Sequence, residues 1–170
     1  MSDEKIVVQP AQSEAEHAGR PFGYLDPESE TAMICEQDPA DREKISSELK
    51  KMGFVVVEPA SFKEALKHMR FHIFDVIFVD ENFDTGISQI NNVLKYLEGL
   101  SMTVRRQTFT VLISAALDTL DNMMTYNKSV NLIINKKEID GAGDILKRAL
   151  TEHNTFYHVY KESLRKHGKG

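Results

Sequence analysis

Between two carboxylates the chain runs Asp75-Val76-Ile77-Phe78-Val79-Asp80. Its centre is β-branched and aromatic with no polar residue, the composition of a strand. A strand with one wet face alternates apolar and polar side chains. A run that is apolar at every position predicts burial on both faces, and so a parallel sheet covered by helices on each side. Working outward, the same signature recurs at Ala32-Met33-Ile34-Cys35, Phe54-Val55-Val56-Val57, Phe109-Thr110-Val111-Leu112-Ile113 and from Val130 to Ile134. Between these runs the period changes to helical. Asp38 before Pro39 is an N-cap, Ile45, Leu49 and Met52 share one face, and Gly53 closes that helix. Ser61 with Glu64 forms a capping box ahead of Phe62, Ala65, Leu66 and Met69. Residues 81–90 are polar and hold Gly86, a loop; Val93, Leu94, Leu97 and Leu100 then mark a third helix. Leu120, Met123 and Met124 mark a fourth, and a last helix starts near Gly141 and extends to about Leu164. Strands alternating with helices in this way predict an α/β, doubly wound, five-stranded parallel sheet, a (βα)5 sandwich with an extended C-terminal helix.

Composition agrees with a single globular unit. The chain has 170 residues, 41% hydrophobic and 28% charged, enough to bury a core without disulfides or a structural metal. Twenty-six acids against 21 bases give a net charge of −5, which speaks against a general nucleic-acid binder. The lone cysteine, Cys35, excludes an internal disulfide and reads as a buried strand residue in a reducing, cytoplasmic setting. No apolar run approaches the roughly 20 residues that span a bilayer, and the acidic N-terminus carries no export signal. Residues 1–30, rich in Pro, Gly, Ser and Glu, read as a flexible tail; residues 31–150 form the domain, and 151–170 extend its last helix. The histidines show no HExxH spacing.

In open parallel sheets ligands bind beyond the carboxyl ends of the strands, near the point where strand order reverses. The residues found there are Glu36-Gln37-Asp38 after the first strand, Asp80 on the third, Ser114-Ala115 after the fourth and Lys136-Lys137 after the fifth. Acids, a hydroxyl and an ammonium gathered on one rim can handle a phosphoryl group: Asp80 as nucleophile, Ser114 and Lys136 on the phosphoryl oxygens, an acid-bound Mg²⁺ offsetting the charge. No G-x-G-x-x-G or Walker loop follows the first strand, which ranks a nucleotide- or flavin-binding enzyme last.

With these residues in this order, residues 31–150 resemble the receiver domain of bacterial two-component response regulators, CheY-like and divergent. The resemblance rests on Glu36-Gln37-Asp38-Pro39 with Arg42, on Asp75 to Asp80, on Ser114-Ala115 and on Lys136. It implies a non-enzymatic, cytoplasmic signalling protein of a phosphorelay, with Asp80 as phosphoacceptor, Ser114 as switch hydroxyl, and Lys136 as the family's lysine. A histidine kinase or another signalling protein is the implied partner. Glu36 and Asp80 make the acidic, metal-binding pocket, and Gln37 and Asn82 fall at family metal-site positions. A neutral amide at Gln37 weakens a hard-cation site. The family's Met-Pro motif is replaced by Glu81-Asn82-Phe83-Asp84-Thr85-Gly86, its proline after the lysine by Lys137, and its aromatic switch position by Ile133. The stretch from Glu81 to Thr108 is also longer than usual. The expectation is therefore a stand-alone receiver-like protein acting through protein–protein interaction, either phosphorylated at Asp80 or locked as a phosphorylation-independent docking or dimerisation module.

Leu146, Leu150, His153, Tyr157, Tyr160 and Leu164 form a heptad-like stripe on the last helix. Its second half either folds back on the domain or presents Phe156, Tyr157 and Tyr160 to a partner, a second copy included. The basic ending, Lys161, Arg165, Lys166 and Lys169, is too small a cluster to indicate nucleic acid or membrane.

Overall fold

The structure, a computed structural model, describes residues 29–168, so the expected N-terminal tail lies outside the described residues apart from Ser29 and Glu30. Glu30 already pairs with the sheet, its carbonyl accepting a hydrogen bond from the Val55 amide at 2.9 Å. Five strands follow: β1 (Thr31–Cys35), β2 (Val55–Val57), β3 (Val76–Asp80), β4 (Phe109–Ser114) and β5 (Leu132–Asn135). They form one all-parallel sheet in the order β2-β1-β3-β4-β5. The order reverses between β1 and β3, which places the crevice of an open α/β sheet over the ends of those two strands.

Successive side chains of each strand point to opposite faces, and this divides the core in two. Ile34, Phe78, Val111, Ile113 and Ile134 pack with Ile45 and Leu49 of α1 (Pro39–Lys51) and with Leu146 of α6 (Ala142–Phe156). On the other face Met33, Cys35, Ile77 and Val79 meet Ala65 of α2 (Phe62–Phe71) and Val93 and Leu97 of α3 (Asn92–Glu98). Leu112 and Ile133 continue that face toward Met124 of α5 (Asn122–Asn127). All five residues of β3 are buried, as its unbroken apolar run requires. Cys35 is buried too, and desolvation pushes its thiol far above the ordinary range, leaving it inert.

Helix starts follow local chemistry. The Asp38 carboxylate accepts the Ala40 and Asp41 amides, with Pro39 in the first helical position. Ser61 accepts the Glu64 amide, while Glu64 reaches back to the Ala60 amide. The long segment after β3 is built from a 3₁₀ turn (Gly86–Ser88), α3 and a one-turn helix, α4 (Met102–Arg105). The two aspartates that bracket β3 serve opposite ends of the sheet. Asp75 ties the start of β1 by accepting the Thr31 amide at 2.7 Å and its hydroxyl at 3.1 Å; Asp80 lies at the other rim.

The expected extended C-terminal helix is present, with one interruption: it halts at Tyr157 (φ −94°, ψ 11°) and resumes as α7 (His158–Lys166). The stripe stays half-buried beyond the break because it folds back on the domain. The His153 ring meets Phe109 edge-on at 5.0 Å, and the Arg106 guanidinium lies 5.4 Å from the centre of the Tyr160 ring. Farther along, α7 closes a cavity at the N-terminal edge of the sheet, lined by Glu30, His72, Asp75, Lys161 and Arg165 among others. Burial there pulls the Lys161 ammonium below its ordinary value, against the attraction of Asp75 and Glu30. Of the three aromatics expected to face a partner, Tyr157 and Tyr160 are turned inward and only Phe156, 80% exposed, stands clear.

Candidate functional site

Three side chains converge where β1, β3 and β5 end. Glu36 follows β1 directly, Asp80 is the last residue of β3, and Lys136 is the first residue after β5. The Lys136 ammonium donates to Asp80 Oδ2 at 2.6 Å and lies 3.3 Å from Glu36 Oε2 and 3.9 Å from Asp41 Oδ2. Asp80 is 4% exposed and Glu36 1%, so both carboxyls have left water. Each keeps one backbone donor: the Asn82 amide to Asp80 Oδ1 at 3.0 Å, the Asp38 amide to Glu36 Oε1 at 2.9 Å.

Two buried carboxyls share a single ammonium. Burial raises the Glu36 carboxyl to about 7; the Asp38 amide opposes the rise, the neighbouring Asp80 adds to it, and Lys136 offsets part. Glu36 Oε2 has no aligned hydrogen-bond partner despite its closeness to Lys136. Burial alone would lower the Lys136 ammonium, but Asp80 and then Glu36 outweigh it, and its pKa is raised. Glu36 thus keeps its proton to a higher pH than an ordinary carboxyl, beside a charged Lys136.

The remaining expected residues are placed differently. Gln37 and Asn82 are exposed, and Asn82 contributes its backbone rather than its amide side chain to Asp80. Ser114 is fully buried, and its hydroxyl points to Glu81: it donates to Glu81 Oε2 at 2.7 Å. A hydroxyl has one proton to give, so Ser114 cannot donate toward Asp80 at the same time. Lys137 is exposed, and of the adjacent lysines Lys136 is the one that enters the acidic pocket.

A magnesium ion is what the receiver resemblance implies here. Among the described residues no group of three or more acidic, histidine or cysteine side chains is arranged to hold a metal. Two carboxyls whose shared charge is already met by Lys136, flanked by the neutral amide of Gln37, do not amount to a resident site for a hard cation.

Two residues of the site escape sequence patterning. Glu81 appears in the sequence only as part of the segment that replaces Met-Pro, yet its carboxylate accepts both the Ser114 hydroxyl and, at 2.9 Å, the Ala115 amide. Asn91 caps α3 through Leu94 N–H at 3.0 Å and donates to the carbonyls of Asp80 at 2.7 Å and Glu81 at 3.2 Å. It therefore fixes the backbone that carries both acids. Asn91→Ala removes a cap and leaves two carbonyls short, and a loss of roughly 2 kcal/mol is expected as a lower urea midpoint at unchanged m.

No protein-family model matches the sequence, and no curated protein matches it. Solved structures do. A response regulator from Thermotoga maritima is similar with a TM-score of 0.55 at 20% identity, over 72% of this chain and 98% of that one. The chemotaxis response regulator CheY4 of Vibrio cholerae gives 0.56 at 16% identity, over 74% and 98%. The receiver domain of a Pseudomonas aeruginosa sensor histidine kinase, with a magnesium ion coordinated in its active-site cleft, gives 0.53 at 17%, over 72% and 98%. Each neighbour is matched almost end to end, and the five-stranded all-parallel sheet of this chain, flanked by helices, agrees with that likeness. The chain has the CheY-like fold of response-regulator receiver domains.

Proposed function

We propose that this protein is a divergent receiver-like signalling protein of the cytoplasm that acts through contacts with other proteins, with Asp80 as the residue that accepts a phosphoryl group. The observation that carries this reading is the Lys136 ammonium 2.6 Å from Asp80 Oδ2, at the strand-order reversal. In the proposed step an Asp80 carboxylate oxygen attacks the phosphorus of a phosphodonor, a phosphohistidine of a kinase or acetyl phosphate. A P–O bond to the carboxylate forms as the bond to the leaving group breaks. Lys136 then pairs with phosphoryl oxygens in place of the carboxylate. The product is an altered surface charge at the rim, which a partner protein reads.

Incubation with labelled acetyl phosphate and millimolar Mg²⁺ is expected to label the wild type and leave Asp80→Asn unlabelled. Persistent label on the variant excludes Asp80 as acceptor. A wild type that takes no label removes the acceptor role and leaves the second reading, a docking module independent of phosphorylation. That reading is favoured by one observation, the commitment of the Ser114 hydroxyl to Glu81.

A further inference from the structure

We infer that Glu81 is a built-in anion for the Ser114–Ala115 donor pair, holding the connection from β4 to α5 in one arrangement whatever the state of Asp80. The inference deepens the function proposed above and rests on it for the meaning of Ser114. Its geometry stands independently.

The Glu81 carboxylate spends one oxygen on each donor: Oε2 on the Ser114 hydroxyl at 2.7 Å, Oε1 on the Ala115 amide at 2.9 Å. A hydroxyl beside a main-chain N–H is the donor set that an incoming phosphoryl oxygen would need, and hydrogen bonds to a charged acceptor are the strong ones. The acceptor is also held in place. The Glu81 amide donates to the Ile113 carbonyl at 2.9 Å, continuing the β3–β4 pairing by one residue, and Asn91 holds its carbonyl from α3. Glu81 therefore reaches across to the end of β4 from a fixed backbone, with little ordering left to oppose the contact.

The segment it holds is pinned on its other side as well. Ser114 Oγ accepts the Ala116 amide at 3.1 Å and the Leu117 amide at 3.0 Å, so its hydroxyl is saturated. Asn135 of β5 donates to the Leu117 carbonyl from its side chain and to Thr119 Oγ1 from its backbone. The Leu120 amide bonds the Ile133 carbonyl while Leu120 sits at φ 64°, a left-handed conformation that a γ-branched residue adopts only when its surroundings enforce it. A phosphoryl group on Asp80 would have to displace a carboxylate of its own sign to recruit these donors. The fold thus replaces a switch by a standing contact, and α5 stays where Glu81 sets it.

The test is amide exchange and chemical-shift mapping of the full chain. In Glu81→Ala, exchange at Ala115 is expected to quicken by about tenfold or more, with shifts reaching Leu120 and Phe83 unmoved. Glu81→Gln separates charge from shape and is expected to restore only part of the protection. Beryllofluoride with Mg²⁺ is expected to shift residues 115–127 in Glu81→Ala and to leave them in place in the wild type. Unchanged Ala115 exchange in Glu81→Ala overturns the inference, as does a wild type whose residues 115–127 move as far as the variant's. If neither protein shows shifts at Asp80 and Lys136 with beryllofluoride, the acceptor reading has failed, and Ala115 exchange alone decides on Glu81.

Discussion

Urea denaturation of Lys136→Met at pH 8 is expected to give a stability about 3 kcal/mol below wild type, at unchanged m. The methionine keeps most of the aliphatic stem, so packing is preserved and the loss reports the ammonium. What remains is Asp80 and Glu36, 4% and 1% exposed, with no cation between them. Breaking a buried pair from one side costs far more than the pair was worth, because the other charge stays out of water uncompensated. Glu36 can relieve part of this by taking a proton, and Lys136 itself is a quarter exposed, which together keep the loss at the lower end of that range. The protein supplies its own control in Lys44, which meets Asp140 at 2.8 Å, almost as short a contact, with both partners exposed. Lys44→Met is expected to be close to silent, because solvent screens that pair. Lys136 has a raised pKa, so its contribution is complete at neutral pH and fades only as pH climbs past the ordinary lysine value of 10.5. Equal losses for the two lysine variants would mean that the rim is wet and the pairing at Asp80 no stronger than a surface contact.

The sheet was legible because its strands are buried on both faces. An apolar residue at every position from Val76 to Val79 demands cover above and below the strand, and parallel pairing of five such runs fixes which ends share a rim. That alone brought Glu36, Asp80 and Lys136 to one place. Two features were not legible in the same way. Glu81 meets Ser114 across 33 residues of chain, and nothing periodic distinguishes an acid that reaches across two strands from one in solvent. The break at Tyr157 has no glycine or proline to announce it. It accompanies tertiary contacts that hold the chain on the domain on both sides of the break: His153 against Phe109 at 5.0 Å, and Tyr160 under Arg106. Ser114 lies between the two cases, since its place at the rim followed from the strand while its hydrogen-bond partner did not.

The complementary variant, Glu36→Gln, is expected to be more stable than wild type above neutrality and indistinguishable from it in acid. Its carboxyl rises from 4.5 to about 7 on folding, burial being the main cause. An acid whose pKa is raised in the folded state binds its proton more tightly there. Wild-type stability is therefore fully present below about 4.5 and is lost progressively as pH rises through 7. At about 1.4 kcal/mol per pH unit, with the attraction to Lys136 already contained in the shift, the loss at pH 8 is at most roughly 3 kcal/mol. Glutamine keeps an oxygen for the Asp38 amide and puts an uncharged NH2 in place of the oxygen that faces Lys136. Urea titrations at pH 4 and pH 8 read the difference directly: coincident midpoints at the lower pH, a higher midpoint for the variant at the upper. Combining it with Lys136→Met adds a coupling test. With Glu36 neutral, Lys136 has one carboxylate fewer to satisfy, so the double variant is expected to lose less than the sum of the singles. A Glu36→Gln protein that is weaker at pH 8 would mean that the attraction of the Glu36 charge to Lys136 outweighs the cost of its burial. The cation at the rim would then be shared evenly between two carboxylates, and not directed, as the 2.6 Å and 3.3 Å contacts indicate, chiefly at Asp80.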